Sequence, residues 1–264
     1  MKILSKKHLT KLKTGYMENR MNWHLVSYAD ENFVEQQKFL HQTHKEGFTH
    51  HPYSRKQLET TDFYKDNQKI LDQSKGAGWW VWKPYYILKT LKSINEGDYL
   101  IYCDCGDMFS PGLVNYIEET LDENDASLLL LSNNINGNYT KRDCFIKMNC
   151  DEEDYHDVSQ LEAGFMIWKS CKKSIKVVED WLNYCLDLDI VNNAPSTLGE
   201  ELLSFVEHRN DQSIITNLAV RDGLTVGGQD YRNYVECDYD YWYERGNAGY
   251  GREIDNFLAQ IKNA

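Results

Sequence analysis

Short apolar bursts alternate with stretches of helical period along most of this chain, and that alternation limits the fold more than any single residue does. Trp23–Ala29 reads as a buried strand ending at Asp30. Residues 33–44 have helical character, 47–54 are rich in turn formers, and 55–71 read as polar and helical. Gly76 and Gly78 interrupt the chain before Trp79-Trp80-Val81-Trp82-Lys83-Pro84, where the proline suits the start of a helix. Ile87, Leu88, Leu91 and Ile94 then recur at the helical period until Gly97 stops the run. Residues 98–102 form a short apolar strand that runs straight into Asp104-Cys105-Gly106-Asp107. A helix over 113–121, a strand over 128–131, a polar irregular stretch over 132–160 and a strand over 163–168 follow. Ile175, Val178, Leu182 and Cys185 mark an amphipathic helix, and a further helix opens at Asp211. Such alternation predicts an α/β fold, a single domain over 1–264 with a mostly parallel central sheet flanked by helices. Residues 1–20 read as a basic N-terminal extension, and 227–264 as an aromatic tail without clear period.

Composition removes several classes of function. The 264 residues carry 29 Lys+Arg against 41 Asp+Glu, a net charge of −12, which argues against broad phosphate-backbone binding and hence against a nucleic-acid partner. It leaves room for a small anionic ligand held by one or two local cations. The longest purely apolar run, 128–131, is far short of the ~20 residues that span a bilayer. Only the basic N-terminus keeps peripheral contact with an anionic membrane surface open. Seven cysteines lack zinc-ligand spacing, and their apolar settings suit reduced thiols, so a cytoplasmic location is expected.

Four blocks carry the chemistry. In an open α/β sheet, ligands gather at the carboxyl ends of strands, which is where Asp104 would stand. A carboxylate there can hold a hard divalent cation, and Gly106 would let the backbone approach a ligand; an Asp capping the next turn has the same sequence. The tryptophans before Lys83 form either a wall and cation for an anionic ligand or two core rings and an exposed lysine. Asp211-Gln212 opens an apolar helix, as a cap or as a reactive pair. Glu162-Ala163-Gly164 precedes an apolar strand, where small residues leave room for a substrate or simply pack tightly. His41 and His44 are too isolated to read as metal ligands, and Asp151–Asp154 reads as a solvated charge run. Nucleophile-elbow, P-loop and dinucleotide glycine motifs are missing.

In this order the blocks Gly-x-Gly-x-Trp-x-Trp-Lys-Pro, Gly-Asp-Tyr-Leu-Ile-Tyr-Cys-Asp-Cys-Gly, Glu-Ala-Gly-Phe and His-Arg-Asn-Asp-Gln-Ser resemble the GT-A glycosyltransferases. They resemble more narrowly a bacterial and viral group with W-x-W-K-P and Y-x-D-x-G motifs. The resemblance runs from about Trp23 to Leu218. It implies a Rossmann-like GT-A domain that moves a sugar, here a hexose, from a nucleotide-sugar donor to a glycan or glycoconjugate acceptor in polysaccharide biosynthesis. It further implies a Mn²⁺ or Mg²⁺ ion on the acidic motif. Asp104 holds that motif's first acidic position; Gly106 replaces the second acid and Asp107 comes one later, so the ion would rest on Asp104 and Asp107. By the same resemblance Ser27, Tyr28 and Ala29 would meet the nucleotide, with Trp82, Lys83, Cys105, Gly106, Ala163, Gly164 and Arg245 around the rest of the donor. Asp211, Gln212 and Glu162 would serve catalysis.

The physical logic follows from the bond that breaks. Negative charge grows on the leaving diphosphate, where a cation and Lys83 would stabilise it, and a carboxylate near the anomeric carbon would meet the positive charge or take the acceptor's proton. Two other readings compete. A HAD-like phosphotransferase also uses an Asp after an apolar strand, but expects it near the N-terminal strand. A catalytically degenerate domain kept for sugar or protein binding would explain the displaced second acid.

Overall fold

The computed structural model describes residues 1–3, 21–110, 112–122, 124–227 and 229–236. Its strands are β1 (Lys2–Ile3), β2 (Trp23–Ala29), β3 (Phe48–Ser54), β4 (Tyr99–Cys103), β5 (Met108–Phe109), β6 (Ser127–Ile135), β7 (Ser159–Lys169), β8 (Thr225–Val226) and β9 (Val235–Glu236). Seven of them form one sheet in the order β1-β8-β6-β7-β4-β2-β3, while β5 and β9 pair separately. The sheet is mixed α/β and mostly parallel. β7 alone runs antiparallel, to both β4 and β6.

β4 is uninterruptedly apolar because both of its faces are covered. Leu100 and Tyr102 join one hydrophobic cluster with the helices Trp82–Leu91, Lys172–Cys185 and Asn210–Arg221; Tyr99, Ile101 and Cys103 join another with the helices Val34–Thr43 and Gly112–Thr120. Three layers result, with the sheet in the middle. Pro84 sits in the first turn of Trp82–Leu91, where its missing N–H leaves no bond unmade. Among the described residues no helix is long and apolar enough to cross a membrane.

Two local expectations give way to packing. Residues 48–54 form an edge strand: parallel pairing with β2 overrides the turn-forming composition, and Pro52 is tolerated at an edge. The stretch 132–160 is largely ordered, through the rest of β6, the helix Arg142–Lys147 and the start of β7. Lys2–Ile3 pairs with β8, and Tyr231, from the aromatic tail, is fully buried against Phe165 and Tyr116. His41 Nδ1 lies 2.7 Å from His50 Nδ1, and His44 is buried between the carbonyls of Leu40 and Phe109.

The segment before the helix Trp82–Leu91 is unusual. Gly76, Ala77, Gly78, Trp79 and Trp80 all have φ between +48° and +103°, one turn of left-handed helix. Each non-glycine residue there costs roughly 1–2 kcal/mol. Gly78 is required twice over, because a Cβ there would meet the Leu71 backbone at 2.7 Å. Gly78→Ala is therefore expected to destabilise by about 2–3 kcal/mol, whereas Gly223→Ala, also at positive φ (+58°) but facing open space, should cost about 1 kcal/mol. Urea midpoints of the two variants check the difference.

Candidate functional site

The C-terminal end of β4 meets the middle of β7. There the Asp104 N–H donates to the Gly164 carbonyl at 2.8 Å. β7 is irregular at this point, advancing five residues (161 to 166) while β6 advances two (129 to 131). Leu161 and Ala163 consequently face the same cluster as Met166 and Trp168, although strict alternation would divide them. Such a bulge re-aims side chains, here around Gly164. A Cβ on Gly164 would lie 2.5 Å from Asp107 Oδ2 and 3.2 Å from Asp104 Oδ2, so glycine is what lets both carboxylates close on the strand.

Lys83 comes from the first turn of its helix and is 2% exposed. Its ammonium donates to the Ala163 carbonyl at 3.0 Å and lies 3.4 Å from Asp104 Oδ2 and 3.5 Å from Asp211 Oδ2. Burial opposes its charge, but Asp104, Asp211 and Asp107 outweigh that and raise its pKa. The Tyr102 hydroxyl, itself buried, donates to Asp104 Oδ1.

Asp211 stands in the first turn of Asn210–Arg221, and its Oδ2 has the Lys83 ion pair but no hydrogen bond. Burial pushes its pKa up to about 6, with Lys83 opposing and Asp104 adding to the rise. Gln212 is consumed within the protein: its Oε1 accepts from Ala163 N at 3.3 Å, and its Nε2 donates to Gln160 Oε1 at 3.0 Å. Gln160 is fully buried and donates in turn toward Asn136, Tyr139, Thr140 and Ser213. That network fixes β7 to the helix carrying Asp211.

A cleft of about 370 Å³ opens over these groups. Of the residues singled out by sequence, it brings together Lys83, Asp104, Asp107, Glu162, Ala163, Gly164, Asp211 and Gln212. Glu162 lies 3.5 Å from the Arg232 guanidinium. Others lie beneath or behind it. Ser27 is buried under the helix Val34–Thr43, bonded to Gln37 and His41. Tyr28 stacks on Trp82 with ring centres 3.9 Å apart, so both are packed as core, and Ala29 is buried beside them. The Cys105 thiol is buried and donates to the Tyr28 carbonyl at 3.1 Å, and Gly106 does not line the cleft. Arg245 lies outside the described residues. The rest of the lining, Lys75, Trp80 and Glu207–Asn210, was not among the expected site residues. The His-Arg-Asn residues directly before Asp211 were its visible signal.

A second, more open cavity of about 400 Å³ lies past the end of β2, lined by Asp30, Glu31, Asn32, Arg55, Leu71, Asp72, Gln73 and Ala77. The left-handed turn stands between the two cavities: Ala77 faces this one, while Lys75 and Trp80 face the first.

Among the described residues no group of three or more His, Cys, Asp or Glu side chains is arranged to hold a metal ion. The convergence of Asp104 and Asp107 on Gly164 nonetheless suits a hard cation that takes its other ligands from substrate phosphates and water.

No protein-family model matches the chain, and no curated protein matches it. Solved structures similar in shape include a glycosyltransferase involved in glycosylation of the major capsid of PBCV-1, 11% identical over 78% of this chain and 81% of that one (TM-score 0.40). The galactosyltransferase LgtC is 13% identical over 78% and 73% (TM-score 0.38). Mouse xyloside xylosyltransferase 1 is 11% identical over 77% and 71% (TM-score 0.42). At such scores the likeness is one of general shape, and the chemistry has to come from the residues of the cleft.

The raised pKa of Asp211 makes stability depend on pH. The folded state holds this proton more tightly than the unfolded chain does, so the group's contribution is most favourable below about pH 4. It declines as pH rises to about 6, by about 3 kcal/mol for a shift from 3.8 to about 6. Urea unfolding from pH 4 to 7 should show this slope in the wild type and lose it in Asp211→Asn.

Proposed function

We propose that the chain is a glycosyltransferase that moves a sugar, most simply a hexose, from a nucleotide-sugar donor to a glycan or glycoconjugate acceptor. One observation carries the reading: a buried, charged lysine held between Asp104 and Asp211 on the floor of a cleft at the carboxyl end of β4. The motif resemblance suggests the reaction class, and the arrangement of the cleft supports the following roles. The donor's diphosphate lies over Lys83, whose fixed ammonium meets the charge that develops as the anomeric C–O bond breaks. Asp104 and Asp107 would hold a Mn²⁺ or Mg²⁺ ion, which when bound neutralises the same oxygens.

Asp211 is the carboxylate beside the transferred sugar. With a pKa near 6 it is ionised at neutral pH and still basic enough to take the acceptor hydroxyl's proton while that oxygen bonds to the anomeric carbon. Gln212 acts as a positioning residue, because both ends of its amide are bonded inside the protein. The cavity beyond Asp30 accommodates the base and ribose. A non-catalytic domain that binds a sugar or a protein is the second reading, favoured by the displaced second acid of the motif, where Gly106 stands and Asp107 follows.

Thermal unfolding with UDP-, GDP-, CMP- and dTDP-sugars, with and without Mn²⁺, should show a shift for one nucleotide class. Turnover of that donor should fall about 10²–10³-fold in Lys83→Met and in Asp104→Asn. Donor binding without turnover in the wild type would favour the binding domain, and no shift with any donor would remove the transferase.

A further inference from the structure

The cleft's two walls differ in charge state. On the floor, the Lys83 charge is already balanced by Asp104 and Asp211, and at the rim Arg209 pairs with Glu207 at 2.7 Å. Lys75 is different. Its Nζ bonds to a neutral acceptor, Asn193 Oδ1, at 2.8 Å and lies 5.7 Å from the centre of the Trp79 ring, and among the described residues no carboxylate pairs with it. It is the lining cation whose charge is left for a ligand.

Next to it stands an aromatic face. Trp80 lines the same cleft from the end of the left-handed turn, at φ +59°, half-buried. Its indole lies flat over Gly76, where a Cβ would come within 2.3–2.7 Å of three of its ring atoms. The turn thus holds one indole in a fixed place with its neighbouring lysine beside it. Five successive residues in left-handed backbone, three of them non-glycine, are unfavourable for folding, and backbone strain of this kind concentrates where a ligand is held. The Lys75–Asn193 bond also joins this turn to the segment leading into Glu207–Asn210, so that the wall is one piece.

We propose that Lys75 and Trp80 form the acceptor subsite, and that it takes an acidic sugar. The pyranose ring stacks on the indole, and its carboxylate or phosphate meets the Lys75 ammonium. This rests on the transferase reading, in which the donor occupies the floor between Lys83, Asp104 and Gly164. The part of the lining formed by Lys75 and Trp80 is then left for the second substrate.

The test uses the full chain and tryptophan-fluorescence titration with glucuronate, galacturonate, N-acetylneuraminate and glucose 6-phosphate, each compared with neutral glucose or galactose. Nucleotide-sugar binding is measured in parallel by thermal shift. At least one acidic sugar should bind five- to tenfold more tightly than its neutral parent. Lys75→Gln should abolish that preference at unchanged donor affinity, and Trp80→Leu should weaken acidic and neutral sugars alike. Binding without acidic preference, or a preference that survives Lys75→Gln, overturns the proposal. If Lys75→Gln weakens donor binding instead, the lysine belongs to the diphosphate and the proposal is also wrong. A chain that binds acidic sugars but no nucleotide sugar would refute the transferase and the acceptor role, leaving only an acidic-sugar site at Lys75 and Trp80.

Discussion

One buried ammonium ties the candidate site together. Lys83 reaches three separately folded parts: the Ala163 carbonyl on β7, Asp104 after β4 and Asp211 at the start of a helix. A lysine taken out of water needs such partners, because its desolvation costs several kcal/mol unless acceptors replace the lost hydration. The carboxylates in turn need the lysine. With Lys83 charged, Asp104, Asp107 and Asp211 still leave the cleft floor net negative, and the least solvated of them, Asp211, responds by holding its proton to about pH 6. The floor is thus poised to receive positive charge, on a cation or on a sugar.

Much of this was legible along the chain. The apolar run of β4 and the acid that ends it are local facts, since five consecutive buried residues followed by Asp104 follow from burial on two faces. Lys83 was readable as a functional cation only through its motif; by residue type an exposed lysine was the simpler expectation, and the structure buries it. Ser27 and Tyr28 show the opposite failure. They end the first long strand, which suggested a ligand site, but neighbours distant in sequence, Gln37, His41 and Trp82, cover them.

The edge strand β3 was hidden for a related reason. Phe-Thr-His-His-Pro-Tyr-Ser has weak local preference, and its conformation is imposed by the register with β2. Trp80 and Lys75 are harder still. A left-handed turn containing two tryptophans contradicts every local preference except those of its glycines, so its geometry could be learned only from the folded chain. The turn also has an architectural role, since its residues line two neighbouring cavities, Lys75 and Trp80 the first and Ala77 the second.

Gly164 sets the distance of closest approach between β7 and two carboxylates, and it does so without a side chain. The strand's main-chain bond to Asp104 provides the other constraint. Spacing defined in this way is insulated from the apolar interior, where one hydrophobic side chain can replace another of similar volume. Apolar volume around the cleft can be redistributed among side chains, whereas any side chain at position 164 would reset the spacing of the two carboxylates.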